Sequence, residues 1–257
     1  MATLRAIGAL GVRSVKQTLR GPRFLAPLLL FPSLFLAINV GGAGSATRLP
    51  GFPAVDGFLD FELAAAILQA TLLGGLTGGI ALAMDIENGF SDRLTLAPIN
   101  RFAMVLGRLA GTVSLGIISG VWFVGVGLIF GASIKAGVAG AVLLVALSAL
   151  TTASFGALAA ALALRLGRVA TVQGMFPLVF VILFLSSAFF PEQLLVEPAR
   201  SIAAINPLSF IAEGMRDLVI RDLSVGDLAQ AAVAIAGIMA VGIGLSAWAL
   251  RYRLRVG

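Results

Sequence analysis

Long runs of apolar residues alternate along this chain with shorter polar segments. The runs at 63–84 and 109–134 are 22 and 26 residues long and contain no charged residue. A helix rises about 1.5 Å per residue, so about 20 residues cross a hydrocarbon core of about 30 Å. Each run is therefore long enough to span a membrane as one helix.

The same reading applied to the whole chain predicts six spans. The predicted fold class is all-α integral membrane, with residues 1–257 forming a single transmembrane domain. Proline at positions 27 and 32 is expected to disturb the first span, and Gly74, Gly75, Gly78 and Gly79 give the second span a small-residue face that favours close helix packing. The predicted spans are 24–44, 63–84, 109–134, 138–164, 169–190 and 228–250.

The segment 1–23 is basic, and its apolar residues recur at roughly helical spacing. This pattern predicts a helix that lies in the membrane interface. A cleaved signal peptide is the alternative, but the basic part is long and no A-x-A-like cleavage site is obvious. The segment 48–62 is rich in turn residues and acids, which indicates a loop outside the membrane.

Composition narrows the possible classes of protein. The chain is 59% apolar and 12% charged, whereas about a quarter of the residues of a soluble domain are charged. It has no cysteine and no histidine, so disulfides, thiolate sites and the commonest catalytic base are excluded. We predict no catalytic residue and no metal site, and nucleic acid is not an expected partner. The sequence also lacks the phosphate-binding pattern G-x-x-x-x-G-K-[ST], so no ATP site is expected in this chain.

The distribution of charge predicts the orientation. With six spans and an N-terminus inside, the inner segments hold 13 of the 18 basic residues and the outer segments hold five. The acids divide as three inside and nine outside. Because short cytoplasmic loops carry an excess of Lys and Arg, both termini are predicted to be cytoplasmic.

The polar segment 85–108 separates the second and third spans. It contains three acids and three arginines, so it must lie in water or among the headgroups. Asn88-Gly89 is expected to end the preceding helix, and a short helix is expected between Ser91 and Pro98. Phe90 and Leu94 would give that helix an apolar side, which another protein could push.

The pattern Glu87-x-Gly89-Phe90-x-Asp92-Arg93-Leu94-x-x-x-Pro98-x-x-Arg101, followed by Gly107-Arg108, resembles the coupling loop of type 2 ABC exporter permeases, and is most similar to the daunorubicin-resistance-type branch. The resemblance implies that a separate ATPase subunit contacts this segment. An ordinary solvated loop that contains a helix remains the alternative. The implied coupling residues are Asp85, Glu87, Asn88, Gly89, Phe90, Asp92, Arg93, Leu94, Pro98 and Arg101.

The segment 191–227 is too polar to cross the membrane and too apolar for a plain loop. Asn206-Pro207 divides it into two amphipathic pieces, 193–204 and 208–220, which are too short to span and favour a re-entrant hairpin. It resembles the outer hairpin of the same family. The resemblance implies an outer gate. For Glu213 and Arg216 the alternative is a structural ion pair, because they are three residues apart on one helix. These gate residues are Phe190, Pro191, Glu192, Asn206, Pro207, Glu213 and Arg216.

Polar and aromatic residues inside the spans are the candidates for a substrate pathway, because polar groups in hydrocarbon need a partner or a cavity. For serine and threonine the alternative is a hydrogen bond to the same helix. No charge lies inside a predicted span, which argues against an ion-driven transporter and favours an amphipathic, lipid-like or drug-like cargo. The main candidates are Asn39, Gln69, Thr77, Ser148, Thr152, Gln173, Phe176 and Phe180.

The resemblance implies an assembly. Two six-span permeases, either identical or related chains, would bind two ATPase subunits that hold ATP and Mg, in the cytoplasmic membrane of a bacterium and surrounded by its lipids. This chain would then be a permease subunit of an exporter and not itself an enzyme. Two alternatives remain: a secondary transporter or channel that is independent of ATP, and a lipid-modifying membrane enzyme that uses acids of the outer hairpin.

Overall fold

A computed structural model describes residues 8, 11–16, 21–89, 101–221 and 224–256. These residues form helices and connections, without a strand among them, and the prediction of an all-α fold is confirmed. Short 3-10 helices lie at Gly44–Arg48 and Glu192–Leu194. The α-helices are α1 (Pro22–Ala43), α2 (Phe58–Glu87), α3 (Arg101–Ile129), α4 (Gly137–Leu166), α5 (Val169–Gln173), α6 (Phe176–Phe184), α7 (Ala199–Ile205), α8 (Pro207–Ile220) and α9 (Val225–Val256).

Within the described ranges, five helices are long and apolar enough to cross a membrane. The chain is thus a multi-pass membrane protein, but the predicted fifth span, 169–190, is not one long helix. It consists of α5 and α6, which together cover only Val169–Phe184. The five candidates are Leu25–Arg48, Phe58–Glu87, Leu109–Ile129, Gly137–Leu166 and Val225–Tyr252.

The break between α5 and α6 has a local cause. Pro177 lies in the first turn of α6, where it has no N–H to donate to the carbonyl of Gln173 and its ring would clash with that carbonyl. Gly174 ends α5 just before it. Even as one helix, the 16 residues from Val169 to Phe184 would measure only about 24 Å, which is less than the hydrocarbon thickness of about 30 Å.

Helices α2 and α3 begin well before their predicted spans. α2 begins at Phe58, and the carboxylate of Asp60 accepts a hydrogen bond from the N–H of Gly57 at 3.1 Å, which caps the helix. Glu62, assigned to the outside loop, therefore lies inside α2. α3 begins at Arg101, so the end of the predicted coupling segment is helical. The short helix expected between Ser91 and Pro98 lies outside the described residues.

Helix α2 is the centre of the bundle. In its most apolar stretch 72% of the residues are buried, against 17% in α1 and in α9. Its glycines allow α4 to approach closely: a Cβ at Gly75 would lie 2.6 Å from the Cβ of Phe155. Since lipid is as apolar as leucine, such close contacts and not the hydrophobic effect hold membrane helices together. The predicted packing role of these glycines is confirmed for Gly75.

Helices α7 and α8 lie in the segment that was predicted to form a re-entrant hairpin, and they are called the hairpin from here on. Its first helix is shorter than predicted, Ala199–Ile205, and the predicted break at Asn206 is confirmed. The turn between α3 and α4 is bonded to α8, since the N–H of Lys135 donates to the carbonyl of Val219 at 2.9 Å. The hairpin therefore packs on the bundle at the end opposite to Glu87.

Candidate functional site

The last turn of α2 is tied to two other parts of the chain. Asp85 forms an ion pair with Arg13, with 3.4 Å between Oδ2 of Asp85 and Nη1 of Arg13. Oε1 of Glu87 accepts a hydrogen bond from the N–H of Val169 at 2.9 Å and so caps the first turn of α5. Movement at this end of α2 would therefore reach both the N-terminal segment and α5.

The chain leaves α2 as the sequence predicted. Asn88 is the C-cap, and Gly89 follows with φ +68°, a left-handed conformation that glycine adopts without strain. Of the predicted coupling residues, Asp85, Glu87, Asn88 and Gly89 lie together here, and Arg101 is the first residue of α3. The others lie outside the described residues, namely Phe90, Asp92, Arg93, Leu94 and Pro98.

The N-terminal helical segment, 11–16, touches both helices that flank this turn. Besides the ion pair of Arg13 with α2, a Cβ at Gly11 would lie 3.3 Å from the Cβ of Ala110 in α3. The segment thus bridges the end of α2 and the beginning of α3. The sequence predicted a helix in this region, but it did not predict these contacts with α2 and α3.

A cleft of about 540 Å³ opens between α1, α2 and the α5–α6 pair, next to Glu87. Three of the predicted pathway residues line it: Thr77, Gln173 and Phe176. The hydroxyl of Thr77 donates to the carbonyl of Leu73 at 2.8 Å, so it is satisfied within its own helix. The wall is mostly apolar, and its residues are Pro27, Leu73, Leu76, Thr77, Ile80, Met84, Glu87, Val169, Gln173 and Phe176.

A track of phenylalanine rings leads from this cleft toward the hairpin. Phe176 and Phe180 have centroids 4.8 Å apart, Phe180 and Phe184 6.2 Å, and Phe184 and Phe189 5.0 Å. Phe31 of α1 meets Phe180 edge-on at 5.7 Å. Of these rings, Phe176 and Phe180 were among the predicted pathway residues, whereas Phe189 was missed although it lies within the predicted fifth span.

The remaining pathway candidates lie elsewhere. Ser148 donates to the carbonyl of Gly116 at 2.7 Å, and Thr152 donates to the carbonyl of Ser148 within α4. A Cβ at Gly116 would lie 2.7 Å from Oγ1 of Thr152, so both residues belong to the contact between α3 and α4. Gln69 is buried in α2, and neither polar atom of its amide has a hydrogen-bond partner within the described structure. The Nδ2 of Asn39 donates to Oε1 of Glu62 at 2.6 Å.

Glu62 itself corrects an expectation of the sequence. It was placed in the outside loop, whereas the structure buries it in α2 with 1% exposure. The statement that no charge lies inside a span is therefore wrong for α2, which also carries Asp60 at its start. The sequence suggested that Glu62 is solvated, because it is a charged residue just before an apolar run. In the structure α1 covers it.

Arg216 holds the hairpin to the bundle. It is 1% exposed, and its guanidinium carbon lies 3.8 Å from the ring centroid of Phe61 in α2. Its nitrogens donate to Glu213 at 2.6 Å and to the carbonyls of Ser187 and Ala188 at 3.0 and 2.5 Å. The predicted pair of Glu213 with Arg216 is present, and one member of it is fully buried.

Asn206 joins the hairpin to α6. Its side-chain amide donates to the carbonyls of Ile182 and Leu185 at 2.8 and 3.1 Å, and its oxygen accepts from the N–H of Leu208 at 2.9 Å. One residue therefore satisfies the end of α6 and caps α8, which Pro207 begins. Of the other predicted gate residues, Phe190 is exposed, Pro191 is buried and Glu192 starts the short 3-10 helix.

Several ionisable groups at the hairpin end have shifted pKa values. The hydrogen bond to Lys135 lowers the pKa of Asp56 and raises the pKa of Lys135. Burial raises the pKa of Asp217 to about 7. In the part of the chain that the structure describes, no group of three or more acidic residues could hold a metal ion.

Comparison with known proteins gives consistent matches. Residues 5–220 match the model of the family described as ABC-2 type transporter. Two proteins described as candidate transport permeases and both called ycf38 are similar to the chain. The one from Pyropia yezoensis is 28% identical over 217 residues, which are 84% of this chain and 74% of the relative. The one from Porphyra purpurea is 28% identical over 216 residues, or 83% and 73%.

Proposed function

Because the chain belongs to the ABC-2 type transporter family, we propose that it is the permease subunit of an ATP-driven exporter whose ATPase is a separate protein. The observation that carries this proposal is the position of Glu87. This residue lines the cleft, caps α5, and is both the last residue of α2 and the first residue of the pattern that resembles a coupling loop. A force on that segment would therefore act directly on the wall of the cleft.

The proposed mechanism begins with closure of the ATPase subunits on ATP. They would move segment 85–108, and the bonds of Asp85 and Glu87 would carry the motion to the N-terminal helix and to α5. The cleft would change shape, and cargo would pass along the phenylalanine track toward the hairpin. There Arg216, Glu213 and Asn206 would hold the outer gate closed until the helices of two permease protomers separate.

The proposal includes the topology and the assembly. We infer that α5, α6 and the following bend cross the membrane as an interrupted sixth span, with both termini in the cytoplasm of a bacterium. Two permease protomers, alike or related, would bind two ATPases. The mostly apolar cleft and the phenylalanine track favour an amphipathic, lipid-like or drug-like cargo.

The test uses proteoliposomes that contain the purified permease, with and without the ABC ATPase that co-purifies with it from its own cells. Loss of a fluorescent amphiphile from the lipid should require the ATPase and Mg-ATP together. A variant that combines Glu87→Lys with Leu94→Asp should insert normally but lose the ATPase. Glu197→Lys, at an exposed acid, is the control. If the ATPase co-purifies with the double variant as well as with the unmodified permease, the coupling role is refuted.

A second candidate function is favoured by one observation, the buried carboxyl of Glu62 in α2. An acid inside a span is typical of proton- or ion-driven transporters. In that case the permease alone would transport, and an imposed proton gradient would replace ATP in the same proteoliposomes. Transport that collapses on addition of a protonophore and needs no ATPase would favour this function over the first.

A further inference from the structure

The side of α2 that lines the cleft continues beyond it toward the hairpin. Leu73, Leu76, Ile80, Met84 and Glu87 line the cleft and follow one another at intervals of three or four residues. Residues at these intervals share one face of a helix. Continued in the other direction, the same spacing reaches Gln69 one turn above Leu73, and Glu62 two turns further.

Both residues carry buried polar atoms without a partner. Gln69 is 1% exposed, and within the described structure neither its amide oxygen nor its amide nitrogen makes a hydrogen bond. Glu62 is also buried; Asn39 bonds its Oε1, while its Oε2 has no hydrogen-bond partner. Buried polar groups are nearly always bonded, so two such residues on one helix face need an explanation. A ligand that binds when the helices separate would provide it.

The charges on this face define the ligand. This face of α2 has a carboxyl group at each end, Glu62 and Glu87. The residues of the face between them are uncharged. The nearest buried cation, Arg216, is occupied by Glu213, three carbonyls and the ring of Phe61. The faces of the phenylalanine rings also attract cations. Among the described residues of this face, no cationic side chain remains to bind an anionic headgroup.

We propose that Gln69 and Glu62 form a recognition site for a cationic amphiphile in a continuation of the cleft that is closed in this structure. The amide of Gln69 would bond the polar part of the cargo, Glu62 would face its ammonium group, and the rings would hold its apolar part. This inference rests on the proposed function, because it names the cargo class of that pathway. The site opens when α1 and α6, which meet through Phe31 and Phe180, move away from α2.

The first variant separates binding from stability. Gln69→Leu replaces an unbonded amide by an apolar side chain of similar size, so the midpoint of thermal unfolding should rise. Binding of the cationic dye rhodamine 6G to the purified permease in nanodiscs should weaken roughly tenfold, which corresponds to one hydrogen bond. Gln193→Leu, at an exposed position of the hairpin connection, should change neither quantity. A purely structural role of Gln69 predicts the reverse, a lower midpoint with unchanged dye affinity.

The second variant tests the charge. Glu62→Gln keeps an oxygen for the amide of Asn39 but removes the negative charge, so it should weaken binding of rhodamine 6G and leave the uncharged dye Nile red unaffected. Glu197→Gln, at an exposed acid, is the matched control. Binding of an anionic amphiphile such as anilinonaphthalene sulfonate with equal or higher affinity would overturn the inference. These measurements need no ATPase, so they test this site independently of the proposed function. ATP-driven transport of an anionic cargo would refute this site and leave the proposed function standing.

Discussion

At the scale of single residues, burial decides what the polar side chains do. The spacing of Glu213 and Arg216 predicted that they are neighbours, because residues three apart share a helix face. It did not predict that Arg216 would be buried beneath Ser187 and Ala188 and stacked on Phe61, since those residues are distant in the sequence. The depth of a charge depends on which elements cover it, and a local pattern does not contain that information.

Replacement of Arg216 should be costly. Arg216→Met removes the donor to the carbonyls of Phe61, Ser187 and Ala188 and the partner of Glu213. We expect a loss of about 2–3 kcal/mol in the free energy of unfolding. Glu213 is partly exposed and can be rehydrated, which limits the cost. Thermal unfolding in nanodiscs measures the effect. Arg200→Met, at an exposed position of α7, should lie within about 0.5 kcal/mol of the unmodified protein, and equal effects of the two changes would contradict the assignment.

Asp217 should make stability depend on pH. Burial raises its pKa to about 7, with contributions from Asp227 and Glu213, while Arg221 acts in the opposite direction. Its contribution to stability is therefore fully present below its ordinary pKa of about 4 and is lost as the pH rises through about 7. The midpoint temperature of unfolding should decrease as the pH is raised from 5 to 8. The decrease should be smaller in Asp217→Asn. Asp56→Asn is the control, because the lowered pKa of Asp56 places its titration below this range.

At the scale of helices, the sequence predicted which helices exist better than it predicted where each helix begins and ends. Uninterrupted apolar runs gave five of the six predicted spans, because the hydrocarbon thickness sets their length. Helix α2 begins before its predicted span, and α3 extends ahead of Leu109, where its candidate span begins as predicted. Charge was taken as the end of each helix, whereas Asp60 caps α2 and Arg101 begins α3. The break in the segment 169–190 was missed because the run is continuously apolar. Pro177 was its only strong signal.

The close contact of α2 with α4 gives a prediction for helix packing. Gly75→Ala would place a Cβ 2.6 Å from the Cβ of Phe155 and 2.9 Å from the backbone of Gly156, so we expect a loss of about 1–3 kcal/mol from overpacking. Gly125→Ala in α3 meets no atom within 4 Å and should be neutral or slightly stabilising. Unfolding midpoints of the two variants in the same detergent check the difference. Equal midpoints would show that the two helices pack differently.

At the scale of the whole molecule, part of the candidate site could be predicted. Thr77, Gln173 and Phe176 were selected as polar or aromatic residues within spans, and the structure brings them together around one cleft. Ser148 and Thr152 were selected by the same rule, but they serve the contact of α3 with α4. Polarity inside a span shows that a group needs a partner, and only the arrangement of the helices decides whether that partner is a neighbour or a cargo.

The central claim is that a separate ATPase acts on this bundle from its inner face through segment 85–108. The chain has no cysteine, so a single cysteine at Phe90 can be labelled without background. A membrane-impermeant maleimide should react with Phe90→Cys in inverted vesicles and not in intact spheroplasts, and bound ATPase should protect the residue. Labelling from the outside, or labelling from the inside that the ATPase leaves unchanged, would contradict the account.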